Sequence, residues 1–260
     1  MTETTTPNSS SAASAELSLD LIITCADGLE APLQTELTSF GIASDIKSTG
    51  RLAVTGTLRD LYTICLWSRV ASRVLMLIKR KNINTEYDVA EQLYGLAKSV
   101  DWTEQFKLEQ TFAIRLSVDK RVAVSQQFAM LRIKDAIADT FNEVYDSRPN
   151  VDSKNPDFSV FATVNDKQAE LYLDLSGTSL HRRGYRVAMT EAPLKENLAA
   201  ALLYSAGWHK KNEEGNAPLY NALIDPMCGS GTFIIEALLM HCDYAVGIDK
   251  AANQFGFYQW

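Results

Sequence analysis

The sequence predicts an α+β fold that leads into the opening of an α/β sheet. Short β-rich runs, among them Leu19–Thr24 and Thr111–Val118, alternate with segments whose apolar residues recur at helical spacing. Near the C-terminus, Ala222-Leu223-Ile224 precedes the glycine-rich stretch Asp225–Thr232, which runs into the apolar segment Phe233–Leu239. That order reads as strand, turn and helix, the first unit of a new sheet.

Each element follows from its local pattern. Leu19–Thr24 is a strand, and Leu29, Leu33, Leu37 and Phe40 mark a helix that stops at Gly41, a glycine suited to a left-handed helix end. Arg51–Thr55 is a strand, Leu58–Ser68 a helix and Val74–Ile78 a strand. This mix suggests a small unit of ferredoxin type over residues 19–82. Val89, Leu93, Leu96 and Val100 then mark a helix, and Thr111–Val118 a strand. Phe128, Leu131, Ile133, Ile137, Phe141 and Val144 give a long amphipathic helix. Phe158–Val164 and Ala169–Leu175 form a hairpin about Asn165-Asp166. Pro193–Ala206 is a helix with proline near its start and Gly207 after its end.

Composition narrows the class. A hydrophobic fraction of 46% over 260 residues is enough for real cores. No apolar run is long enough for a membrane helix, and Met1–Ala15 has neither a basic nor an apolar signal region. A disordered tail over residues 1–18 and a cytoplasmic protein are the expectation. The four cysteines (Cys25, Cys65, Cys228, Cys242) have no metal-binding spacing, so reduced thiols and no metal are expected. The formal charge of −7 argues against non-specific capture of nucleic acid, yet allows a local basic face. Arg182, Arg183 and Arg186 form one cluster and Lys79-Arg80-Lys81 another.

The octapeptide Asp225-Pro226-Met227-Cys228-Gly229-Ser230-Gly231-Thr232 carries the strongest chemical signal. Glycines let a ligand approach the backbone, and a helix N-terminus offers free N–H groups. The stretch resembles the first motif of S-adenosylmethionine-dependent methyltransferases that act on nucleic-acid amines. Upstream, Leu173–Gly177, Leu180-His181-Arg182-Arg183-Gly184-Tyr185-Arg186 and Ala192–Ala201 are similar to the bacterial 23S rRNA guanine-N2 methyltransferases that carry a THUMP domain. Leu66-Trp67-Ser68-Arg69 and Asp101-Trp102-Thr103-Glu104 extend the likeness, which runs from Leu21 to Trp260. In many bacteria such proteins are the first half of a fused enzyme with two methylating activities.

The resemblance implies a domain order: a THUMP RNA-binding unit over 83–176, a basic connector over 177–192, and the N-terminal portion of a Rossmann-like class I methyltransferase domain over 193–260. It implies S-adenosyl-L-methionine as cofactor. Asp225, Pro226, Cys228, Gly229, Ser230, Gly231 and Thr232 would hold it, with Lys195 and Glu196 bordering the pocket. Cys228 is not needed as a nucleophile, because an exocyclic amine attacks the methyl group directly. Arg182, Arg183, Tyr185 and Arg186 interleave basic and aromatic residues, which suits RNA phosphates and an unpaired base; an ordinary charged linker is the alternative.

Asp249 lies 24 residues beyond Asp225, near the spacing of a ribose-binding carboxylate. Against that, Phe255–Trp260 looks like a family insertion, which would place Ala245–Lys250 inside it. The Asn/Asp-Pro-Pro-aromatic motif that holds the target amine in related enzymes is absent, and no Pro-Pro pair occurs in the chain. The expected parent activity is methylation of guanine N2 in 23S rRNA or a large-subunit precursor, this chain being an incomplete piece with no catalytic residue of its own. A non-catalytic RNA-binding fragment, or a guanine-N2 or adenine-N6 methyltransferase acting on tRNA, are the alternatives.

Overall fold

The computed structural model describes residues 18–186, 193–215 and 217–260. The expected tail lies almost wholly outside these, as does the connector's stretch 187–192.

The N-terminal elements are β1 (Leu19–Thr24), α1 (Glu30–Ser39), β2 (Asp45–Ser48), β3 (Arg51–Gly56), α2 (Leu58–Trp67) and β4 (Arg73–Asn82). Their order along the sheet, β2-β3-β1-β4, is that of a ferredoxin-like unit. Local chemistry sets the boundaries. Thr57 and Asp60 form a reciprocal capping box at the start of α2. Gly41 ends α1 with φ +76°, as its sequence position suggested. The sequence reading missed β2, whose four residues are all exposed and carry no apolar alternation.

The second unit holds α3 (Val89–Lys98), β5 (Phe112–Val118), α4 (Gln126–Tyr145), β6 (Phe158–Val164) and β7 (Gln168–Asp174). This is the order the THUMP resemblance implied. β5 and β6 pair in parallel, with α4 as their crossover, and β6 and β7 form the antiparallel hairpin. The two units share one sheet. β4 pairs antiparallel with β7 from Leu75↔Asp174 to Asn82↔Gln168, giving the order β2-β3-β1-β4-β7-β6-β5.

Strand alternation divides the apolar residues between two faces. Leu19, Leu21 and Ile23 enter the main core, which runs on without a break through Trp102, Phe112, Phe141 and Phe158. Ile22 joins Leu75 and Tyr172 in a small second cluster. Phe106 sits among Phe112, Phe141 and Phe158, with ring centroids 4.9 to 5.7 Å away.

The C-terminal part contributes α5 (Glu196–Ser205), α6 (Thr232–His241) and the single turn α7 (Gly256–Gln259). α5 and α6 pack together, and the indole N–H of Trp208 donates to the Ala237 carbonyl at 3.0 Å. No strand forms at Ala222–Ile224, contrary to the sequence reading. A strand exists only through a ladder partner, and among the described residues no segment pairs with this one. Ile224 is 86% exposed and Met227 89%.

Residues 244–260 are not sheet but a strap laid back over α2 of the first unit and the end of β7. The Gly247 N–H donates to the Leu66 carbonyl at 2.8 Å, and that of Phe257 to Leu175 at 3.0 Å. The Phe257 and Tyr62 rings meet at 4.8 Å. Glycines make this approach possible. A Cβ on Gly256 would stand 2.2 Å from the Asp174 carbonyl oxygen, and one on Gly177 2.2 Å from that of Gln254. Among the described residues no helix is long and apolar enough to cross a membrane.

Gly256→Ala should therefore cost about 1–3 kcal/mol, the range for overpacking a close contact. Urea unfolding should show a lower midpoint, and the Phe257 amide should exchange faster. An unchanged midpoint would remove the strap from the stable body of the fold.

Candidate cofactor-binding site

The glycine-rich turn keeps its expected shape even without its strand. Gly229 has φ +51° and Gly231 φ +73°, a left-handed region that favours glycine. Gly231 is the N-cap of α6, so the turn delivers its backbone to a helix N-terminus. The Gly231 N–H donates to the Cys228 carbonyl at 2.7 Å, and the Met227 N–H to the Asp225 carboxylate at 3.1 Å. A Cβ built on either glycine would meet nothing within 4 Å. Both positions open onto space rather than onto packed neighbours, so a side chain there would project away from the turn unopposed. Pro226, Cys228 and Gly229 are exposed, Asp225, Ser230 and Gly231 half-buried, and Thr232 buried.

Lys195 and Glu196 stand at the start of α5 and behave differently. Lys195 is the exposed N-cap. Glu196 is buried and pairs with Arg186 at 3.2 Å. Next to it, Asn197 donates to the Ser72 hydroxyl at 2.9 Å and to the Val70 carbonyl at 3.3 Å, tying α5 to the first unit.

The connector differs most from its expected role. Arg182 is exposed, as an RNA contact requires. Arg183 is buried, so the expectation that it faces RNA phosphates is corrected. Its Nη2 donates to the Arg69 carbonyl at 2.5 Å, and its Nε lies 3.6 Å from the buried Glu236 carboxylate. Tyr185 donates its hydroxyl to the same Glu236 oxygen at 3.0 Å, which leaves it half-buried rather than presented as a stacking platform. Arg186 turns inward as well: beside Glu196, it reaches the Leu194 carbonyl at 2.8 Å. A buried charge needs a partner, and two are supplied by α5 and α6.

This junction extends into the first unit. Glu36 on α1 is fully buried and accepts from the Ser68 hydroxyl at 2.5 Å, the Arg69 N–H at 2.7 Å and the Val70 N–H at 3.2 Å. Arg69 in turn donates to the Tyr244 carbonyl at 2.8 Å and that of Leu239 at 3.1 Å. Burial pushes the Glu36 and Glu236 carboxyls above their usual range and the Arg69 guanidinium below its own. Sequence reasoning missed this cluster. A signal was present: Glu236 is a lone acid in Phe233-Ile234-Ile235-Glu236-Ala237-Leu238, and such an acid needs an internal partner.

Asp249 lies in a turn docked through Gly247 on Leu66, and Tyr244 donates to its carboxylate at 2.9 Å. It does not end a strand. Among the described residues no cluster of three or more His, Cys, Asp or Glu could hold a metal.

Three family models match, and in the order of the architecture above: an RlmL ferredoxin-like domain over residues 20–75, a THUMP domain over 87–174, and an RMKL-like methyltransferase domain over 183–255. The chain belongs to the THUMP-domain methyltransferases. Curated relatives in this family include a ribosomal RNA large subunit methyltransferase K/L from Psychrobacter arcticus, 92% identical over the whole chain, and one from Acinetobacter baumannii, 46% identical over 92% of it. The chain spans about a third of the length of these relatives, 34% and 32%. Among solved structures, a methyltransferase complexed with SAH, SMU.472, superposes with a TM-score of 0.76 at 27% identity, covering 94% of this chain and 60% of that one. A protein described as an N6-adenine-specific DNA methylase, from Listeria monocytogenes, gives 0.74 at 26% identity, with the same coverage of both chains.

Glu236 generates a pH prediction. Its folded pKa is raised above 4.5 by burial, so its contribution to stability is present below that pH and lost as pH rises through the folded value. Glu236→Gln should match the wild type near pH 4.5 and gain on it toward neutrality, because the amide mimics the protonated acid. Urea midpoints across that range measure this. A variant that falls behind the wild type as pH rises would reverse the sign.

Proposed function

We propose that the Asp225–Thr232 turn holds the methionine part of S-adenosylmethionine, and that the protein works in methylation of guanine N2 in large-subunit ribosomal RNA. The observation that carries the first statement is the pair of left-handed glycines, with empty space at both Cβ positions, ahead of the α6 N-terminus. The SAH-bound neighbour supports it. The rRNA assignment rests on the names of the 46–92% identical relatives and on the THUMP match.

The cofactor, when bound, supplies an electrophilic methyl group. The chain's own residues orient it. Backbone N–H groups at the start of α6 suit its carboxylate, and Asp225 stands where an amino group would be held. Gly229 and Gly231 admit it to the backbone, while Lys195 and Glu196 border the space. Methyl transfer to an exocyclic amine needs no covalent enzyme intermediate, so Cys228 takes no chemical role.

Titration with SAH, followed by backbone amide NMR, tests the site even where affinity is low. Shifts should concentrate at Cys228–Ile235. Gly231→Val should abolish them, since its Cβ projects into the ligand space and its φ of +73° suits no β-branched residue. Absence of any shift at saturating SAH would sink the cofactor reading.

RNA docking is supported by a polar hollow of about 680 Å³ between the THUMP unit and the connector, lined by exposed Arg115, Lys154 and Arg182. Because Arg183 and Arg186 point inward, these three replace the connector cluster as the proposed phosphate-binding side chains. Deleting one cation that neutralises a phosphate lowers the salt slope by about 0.7–0.9. Arg115→Ala, Lys154→Ala and Arg182→Ala combined should therefore flatten the slope for a 23S rRNA fragment by about 2 or more, measured by filter binding across salt. Equal slopes for variant and wild type would move the RNA face elsewhere, with Lys79-Arg80-Lys81 on β4 the next to test.

A further inference from the structure

Arg186 has no assigned role in binding or chemistry, yet its guanidinium touches more of the candidate site than any other connector side chain. Its side chain is only 12% exposed. Nε and Nη2 each lie 3.2 Å from the Glu196 carboxylate, and Nη2 also donates to the Leu194 carbonyl at 2.8 Å. On the other edge, Nη1 reaches the Ser230 hydroxyl at 3.5 Å and Nη2 the Thr232 hydroxyl at 3.4 Å. Those two hydroxyls flank Gly231 and lie 3.2 Å apart. One planar group therefore spans from the start of α5 to both sides of the glycine that caps α6.

The turn has little else to hold it. Its glycines are unpacked, Met227 and Cys228 are exposed, and the bonds within it are short-range ones, from Met227 to Asp225, from Gly231 to Cys228 and between the Ser230 and Thr232 hydroxyls among them. The connector that brings Arg186 is fixed independently. Arg183 and Tyr185 both converge on Glu236, one turn into α6. The base of the clamp is thus rigid and its free end is the guanidinium.

We propose that Arg186 is a positioning residue for the cofactor turn: it fastens Ser230 and Thr232 to Glu196 and so sets the turn's shape before any ligand arrives. The proposal rests on the cofactor reading above. A preformed turn lowers the ordering cost of binding. Arginine suits this task because its fork meets a carboxylate and two hydroxyls in one plane, whereas lysine offers a point charge to one partner at a time.

The test uses the whole chain without cofactor first. Cys228 lies in the turn and is exposed, while Cys242 is exposed beyond α6. Alkylation of each is followed by mass spectrometry, together with hydrogen exchange at Cys228–Thr232. In Arg186→Ala, amide exchange over Cys228–Thr232 should rise roughly tenfold, led by the Gly231 amide that donates to the Cys228 carbonyl, with the sheet amides unchanged and alkylation of the two exposed cysteines little affected. Arg186→Lys should recover only part of the protection. Arg186→Ala should also weaken the SAH-induced shifts while leaving the RNA salt slope at its wild-type value, unlike Arg182→Ala.

Unchanged amide exchange over Cys228–Thr232 in Arg186→Ala overturns the proposal. So does a rise in alkylation of buried Cys65, which would mean general loosening, or full recovery in Arg186→Lys, which would mean that charge alone suffices. Protection by Arg186 in a chain that shows no SAH shifts would leave the clamp standing and remove the cofactor reading, so the two failures are separable.

Discussion

The withdrawal of Glu36 and Glu236 from solvent dictates how the three parts of this chain meet. Two carboxylates in an apolar setting must find donors, and neither finds them within its own helix. Glu36 on α1 takes its bonds from the turn after α2. Glu236 on α6 takes its partners from the connector. Arg69 and Arg183 link the two sites, since the Arg183 guanidinium donates to the Arg69 carbonyl while the Arg69 guanidinium reaches back to the α6 C-terminus and Tyr244. Every bond in this set crosses from one element to another. The ferredoxin-like unit, the connector and the methyltransferase helices are thereby one body at this point, although sequence divides them into three.

A second constraint acts on the methyltransferase end. The glycine-rich turn adopts its left-handed backbone without the strand that should lead into it. Turn geometry is local, set by two glycines and a helix cap, whereas a strand is defined by its neighbour. The apolar side chains around the turn carry the mark of this difference: Leu223, Ile224, Ile234 and Leu238 are all exposed. They are the residues that a sheet packed on α6 would cover.

Sequence legibility followed the same division between local and non-local. Helices with apolar residues at regular spacing were readable, as were strands with alternating ones, and Gly41 and Gly207 marked helix ends correctly. β2 was invisible because Asp45-Ile46-Lys47-Ser48 is an edge strand with no buried face. The turn at Asp225–Thr232 was readable because glycine spacing is itself the signal. The direction of the connector was not. Arg182 and Arg183 are identical in sequence terms, yet one faces solvent and the other a buried acid. Only a lone acid inside an apolar helix hinted at the answer, and it lies about fifty residues away. The merger of the two N-terminal units was equally hidden, since pairing between β4 and β7 joins residues about ninety positions apart.

That merged sheet has a geometric consequence. Seven strands at roughly 4.8 Å spacing make a beam about 29 Å across. A hydrogen-bonded ladder between β4 and β7 does not hinge, so the THUMP unit cannot swing relative to the ferredoxin-like unit, and the buried charges hold the glycine-rich turn to the same beam. On the proposed function, an RNA gripped at the hollow would meet the methyl donor at a constant span. Choice of target would then depend on measured length as well as on base identity: a nucleotide at the wrong separation from the gripped phosphates would be out of reach however well its edge fitted.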